Sequence, residues 1–196
     1  MSDKQIENNF LYLDMYAPFQ LSNEQVRSLV LLNTILTGTL YSRILGTARE
    51  KGLVYGMNSG VNDFKNNVNW WFGVQVSQKN GLELMNLIYL ELKRIKDGII
   101  DDQDLDSAKL NLIGSFYRSA QTVSSTASWY SNYFYFDDTV YEFNNYPKNI
   151  QKIKKNQLIE VAKFVIDQNI WGLGMLGHSP KSYGQELRVI IEPLFS

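Results

Sequence analysis

The stretch VNWWFGVQVS, residues 68 to 77, decides the fold. Val68, Trp70, Phe72, Val74 and Val76 alternate with Asn69, Trp71, Gly73, Gln75 and Ser77. Successive strand side chains point to opposite faces, so this period of two marks a strand with one buried face. Just upstream, Asp63 to Asn67 (DFKNN) reads as a polar turn, and Leu53 to Asn62 as a strand leading into it, so the pair predicts a hairpin. Further out, FLYLDMYA at 10 to 17 alternates as well. It puts Phe10, Tyr12, Asp14 and Tyr16 on one face and Leu11, Leu13, Met15 and Ala17 on the other, and Pro18 ends it.

Helical patterns surround these strands. Ser22 and Gln25 form a capping-box signature, with Leu21 and Val26 placed as a hydrophobic staple. Val26, Leu29, Val30, Asn33 and Leu36 follow at helical spacing, and Gly38 is a stop signal. A second helix is expected over 40 to 51, ending at Gly52. Beyond the hairpin, helices are expected over 82 to 96, from Asp101 or Asp102 onward, over 122 to 136, over 141 to 153 with Pro147 interrupting, and over 156 to 167. A last strand, Ile170 to Gly177, precedes a short helix at 183 to 192. This order predicts an α+β fold: an antiparallel or mixed sheet with helices packed on one face, as one domain over 1 to 196.

The composition narrows the function. The chain has 196 residues, 44% of them apolar, and its 19 basic and 20 acidic side chains nearly cancel. A chain of this length buries roughly 70% of its unfolded surface without disulfides or metal. No basic patch signals nucleic acid. No apolar run approaches the roughly 20 residues of a membrane span, and MSDKQIENNF lacks the apolar core of a signal peptide. A cytoplasmic location is the default expectation. Richness in Lys, Asn, Ile and Tyr hints at an AT-rich bacterial genome.

Several chemistries are disfavoured. A zinc site needs about three or four ligands, mostly His or Cys, and this chain has one histidine, His178, and no cysteine. No G-x-S-x-G elbow is present to pair with His178, which reads as a loop or strand-end residue. Gly172 to Gly177 spells G-x-G-x-x-G, but no helix follows it, so the glycines read as strand positions open to close backbone approach. Asp102, Asp104 and Asp106 resemble the opening of a calcium loop. The required glycine and glutamate are replaced by Ser107 and Ile113, so these acids read as helix-start residues. Trp129, Tyr130, Tyr133, Phe134, Tyr135 and Phe136 read as core packing, with a peptide- or partner-facing surface as the alternative.

One segment carries more. Asn33 to Tyr55, NTILTGTLYSRILGTAREKGLVY, contains Ser42-Arg43-Ile44 and then Arg49-Glu50-Lys51-Gly52-Leu53-Val54-Tyr55. It resembles the second-domain motif of the insulinase/pitrilysin-type zinc metallopeptidases. The hairpin, the helix ending Ile95 to Ile99, the acid-led DDQDLDSAKLNLIGSF helix and the strand ending Leu176-Gly177-His178 extend the likeness over roughly residues 8 to 192.

The resemblance implies a clamshell of two related α+β domains. The first would hold zinc through H-x-x-E-H, a motif this sequence lacks. This chain would then be the non-catalytic C-terminal domain, inactive alone, closing the cleavage chamber over a peptide substrate. It would contain no cofactor, with zinc in a homologous zinc-bearing N-terminal domain or subunit. The substrate-binding residues carried over are Arg49 and Tyr55, six positions apart here against a common seven in the family. An arginine fork and a tyrosine hydroxyl can both donate to a peptide carbonyl or developing oxyanion. Read without the resemblance, Arg49 is a cation at a helix C-terminus and Tyr55 a strand residue packing across to its neighbour. Peptide could also add to an open sheet edge, expected at Leu53 to Gly60. The alternatives kept are an inactive scaffold subunit, a free-standing ligand-binding domain and assembly as a homodimer.

Overall fold

The computed structural model describes residues 8–168 and 170–196, without the side chains of 136 and 137. Residues 1–7 of the stretch read for a signal peptide, and the Phe136 ring of the aromatic group, lie outside the described residues.

Four strands form one sheet: β1 (Asn8–Ala17), β2 (Met57–Phe64), β3 (Asn67–Ser77) and β4 (Ile170–Leu176), in the order β2-β3-β1-β4. All three pairings are antiparallel, which settles the α+β class toward the antiparallel alternative. The expected alternation holds. Leu11, Leu13, Met15 and Ala17 are buried together with Val68, Trp70, Phe72, Val74 and Val76. The opposite sheet face keeps Phe10, Tyr12 and Tyr16 well exposed.

The helices cover the apolar face. α1 (Asn23–Thr37) begins with the predicted capping box: the Ser22 hydroxyl accepts from the Gln25 N–H at 3.2 Å, and the Gln25 side chain accepts from the Ser22 N–H at 2.9 Å. Its one polar stripe residue has a purpose. Asn33 Oδ1 accepts the indole N–H of fully buried Trp70 at 3.0 Å, a donor that would otherwise be buried unpaired. α3 (Gln78–Lys96), α4 (Asp102–Ser119) and α7 (Lys155–Asp167) contribute Leu84, Ile88, Leu92, Leu105, Leu158 and Val165 to the same core. α6 (Asn145–Lys152) and α8 (Lys181–Ile191) complete the layer, a 3-10 turn follows at Glu192–Leu194, and α5 (Val123–Asp137) packs against α4 through Trp129 on Phe116.

Three expectations need correction. The second helix is only α2 (Leu45–Glu50), because residues 39–44 fold back on α1. There the Arg43 and Ile44 amides donate to the Ile35 and Leu36 carbonyls at 3.0 and 2.8 Å, bonds that local periodicity cannot announce. The strand expected from Leu53 begins at Met57, since Leu53 and Val54 turn inward and are buried in a loop. Pro147 does not interrupt a helix. It sits buried in the first turn of α6, where a missing N–H costs nothing.

Candidate functional site

Arg49 lies in the last turn of α2, and Tyr55 at the tip of the loop that follows. The local sequence fixes both positions. Gly52 takes φ +66°, which a glycine adopts without strain. Its N–H donates to the Arg49 carbonyl at 2.9 Å, and the Leu53 N–H to the Ala48 carbonyl at 2.8 Å, closing the helix as a Schellman motif. Leu53 and Val54 anchor the loop inward. Asn80, in the first turn of α3, donates to the carbonyls of Gly52 and Leu53 at 3.3 and 3.1 Å.

With the stem pinned, the tip projects, and Tyr55 is 91% exposed. Arg49 Nη1 donates to the Tyr55 carbonyl at 2.5 Å, and the guanidinium carbon lies 5.3 Å from the centre of the Tyr55 ring. The six-residue spacing therefore brings the two side chains together. The Tyr55 hydroxyl and the rest of the Arg49 fork remain as donors, and Tyr55 lines a cleft.

That cleft, about 440 Å³, lies between the 52–58 loop and the sheet, with Tyr55, Gly56, Asn58, Tyr12 and Gln75 on its walls. It opens where β3 runs past the start of β2: pairing stops at Met57 with Val74, while β3 continues to Ser77. Tyr12, Asn58 and Gln75 were not singled out from sequence as site residues. The period-two pattern already placed Tyr12 and Gln75 on the open faces of their strands, the signal that could have found them. The expected open edge at Leu53 to Gly60 is narrower in fact, for only Met57 onward belongs to edge strand β2.

The other candidates resolve as follows. Arg43 is the second arginine of the α2 region. Its side chain is 10% exposed and reaches Asp104 at 2.6 Å, Asp101 at 3.2 Å and the Ile99 carbonyl at 2.9 Å. Asp104 thus holds Arg43, Asp102 pairs with Lys155 at 2.7 Å, and Asp101 is the N-cap residue of α4 without a side-chain cap bond. His178 is exposed in the turn after β4, and Gly172 and Gly174 lie within β4. Trp129, Tyr130 and Tyr133 join Phe116, Phe143 and Tyr146 in a ring cluster, while Phe134 and Tyr135 are 57% and 75% exposed. Burial beside Tyr133 pushes the Tyr146 hydroxyl up to about 12. Among the described residues, no group of three or more His, Cys, Asp or Glu could hold a metal, so they do not fit a zinc site. No described helix is long and apolar enough to cross a membrane.

A family model described as the Peptidase M16 inactive domain matches residues 3–112, more than half of the chain. The chain belongs to the Peptidase M16 inactive-domain family. The resemblance drawn from Arg49 to Tyr55 and its flanks is thereby confirmed at the level of the family. No curated protein sequence matches this M16 inactive domain. A protease from Helicobacter pylori shares its fold at 17% identity and TM-score 0.74, over 90% of this chain and 43% of that one. A chain of Complex III2 from Candida albicans, bound to Inz-5, does so at 12% identity and TM-score 0.75, over 95% and 48%. The periplasmic protease PqqL from Escherichia coli does so at 13% identity and TM-score 0.70, over 91% and 20%. The M16 inactive domain spans less than half the length of each.

Proposed function

We propose that this chain is the non-catalytic half of a zinc metalloendopeptidase, closing the cleavage chamber and holding peptide through Arg49 and Tyr55. One observation carries the reading: the two residues carried over from the family stand in contact and exposed, and Tyr55 lines the cleft. Zinc belongs to the homologous partner domain, because this sequence has one histidine and no cysteine. The chain's own work is to orient. Tyr55 and Arg49 present hydrogen-bond donors to the substrate backbone, and the exposed aromatic side of the sheet gives an extended peptide a surface to lie against.

A second reading is an inactive scaffold subunit without proteolysis. Two observations favour it: the fold likeness to a Complex III2 chain, and an Arg49 fork already engaged by the carbonyl of Tyr55. Peptide hydrolysis by this chain mixed with its zinc-bearing partner domain separates the two. Activity only in the mixture is expected, and Tyr55→Phe should lower kcat/KM by about tenfold or more, the scale of one lost donor. A mixture that associates without hydrolysis favours the scaffold, and full activity in Tyr55→Phe removes Tyr55 from the site.

A further inference from the structure

The cleft beside Tyr55 has a chemistry of its own. Of the whole chain 20% is charged, yet among the described residues none that lines the cleft carries a charge. Its polar side chains, Asn58 and Gln75 among them, are all amides and hydroxyls. Arg49, bound to the Tyr55 carbonyl, is not part of the lining. A charge brought into such a cleft loses hydration and meets no opposite charge in return.

Two glycines shape the space. Gly73 of β3 pairs with Tyr12 of β1, and the Tyr12 ring lies across it. A Cβ at Gly73 would stand 2.6 Å from Cε1 and 3.0 Å from Cζ of that ring. An aromatic ring laid over a strand glycine supports the sheet. This one also stays 46% exposed and lines the cleft, so its face is open to a ligand. Across from it, Gly56 has nothing within 4 Å of where a Cβ would stand, and its φ is not in the left-handed region.

The main chain of a ligand has partners as well. β3 continues to Ser77, but its pairing with β2 stops at Val74 with Met57. Among the described residues no backbone hydrogen bond joins 52–56 to 75–77. Strand residues turn their N–H and C=O groups to alternate sides, so part of this stretch faces the cleft without a backbone partner.

We propose that the cleft selects peptides by one uncharged aromatic or apolar side chain, seated against the Tyr12 ring. The inference rests on the peptide-holding reading of Arg49 and Tyr55, and adds to it the choice of side chain.

The test is fluorescence anisotropy of labelled short peptides with the full chain, identical but for one central Phe, Leu, Lys or Glu. Circular dichroism controls for folding. The Phe and Leu peptides should bind about tenfold or more tighter than the Lys and Glu peptides. Gly56→Leu fills open space without backbone strain and should erase the preference. Tyr12→Lys should turn it toward the Glu peptide. Equal binding of all four peptides, a wild-type preference for Glu set by Arg49, or a preference indifferent to both variants would overturn the proposal. So would a chain that binds none of them, while the turnover of Tyr55→Phe still decides the holding role. Arg49→Ala and Tyr55→Phe separate the two readings here too. Equal binding that falls in both variants removes the selection and leaves the holding role. A preference kept at full affinity in both removes the holding role and leaves the selection.

Discussion

Arg43 just before α2 and Arg49 in its last turn behave in opposite ways. Arg43 is nearly buried and well satisfied, with its fork spread over Asp104, Asp101 and the Ile99 carbonyl. Arg49 is exposed and, among the described residues, holds one hydrogen bond, to the carbonyl of Tyr55. The first ties the 39–44 loop to the start of α4. The second has donors to spare next to Tyr55, which lines a cleft. A charge whose partners are all internal is part of the scaffold, and one with unspent donors on a pinned stem is available to a ligand.

Breaking the buried member should have the largest effect. Arg43→Ala leaves Asp104 without its cation and the buried Glu91 with Arg94 alone, while Glu91 Oε2 already lacks a hydrogen-bond partner. A loss of about 3 kcal/mol is expected in urea unfolding, the scale of an uncompensated buried charge. Arg43→Lys should recover only part of it, because an ammonium cannot reproduce the fork. A loss under about 1 kcal/mol would show that the network is ornamental.

The two arginines also mark what the sequence could and could not say. Local signals were legible: the period of two in β1 and β3, the capping box at Ser22, the glycine end of α2, and the Arg49 to Tyr55 segment itself. Arg43 stood in the recognised Ser-Arg-Ile segment, yet its partners lie 58 and 61 residues away, and nothing in the spacing joins them. The same holds for the shortened α2, set by hydrogen bonds to α1, and for the late start of β2, set by burial of Leu53 and Val54. Pattern reads what neighbours in sequence do. It is blind to what the chain meets on its return.

A half-buried polar group, Tyr146, probes the same contrast by pH. Tyr146 stacks on Phe116 at 4.6 Å, and burial raises its hydroxyl to about 12 from the ordinary value of 10.0. The native state therefore keeps a proton that the unfolded chain releases. Its contribution is complete below pH 10 and is lost as pH rises from about 10 to about 12, by on the order of 2 kcal/mol at most. Tyr146→Phe should flatten that part of the stability profile. An unchanged profile would show that the hydroxyl is solvated in the native state.

The stem of the exposed member is tested at Gly52. Open space surrounds it, but its φ of +66° strains any L side chain, so Gly52→Ala should cost about 1 kcal/mol. The direction of the accompanying change is the sharper readout. If the Schellman turn aims Tyr55 at the cleft, KM for peptide in the assembled enzyme should rise by more than the modest loss of stability explains. A change in stability alone would make the turn a structural cap and nothing more.

The smallest effect on stability should come from Arg49→Ala, and this is where the comparison is decided. Its hydrogen bond and ring contact lie at the surface, where such interactions contribute at most about 1 kcal/mol. A midpoint of unfolding close to wild type is expected, together with a fall in kcat/KM of the assembled peptidase. Arg49→Lys keeps the charge and loses the fork, so it should fail nearly as badly on peptide if two directed donors matter, and succeed if charge alone does. Intact activity in both variants would return Arg49 to its plain role as a cation at a helix C-terminus, and the scaffold reading would gain what the substrate reading lost. Stability is blind at this position, so turnover there reports on function without contamination from folding.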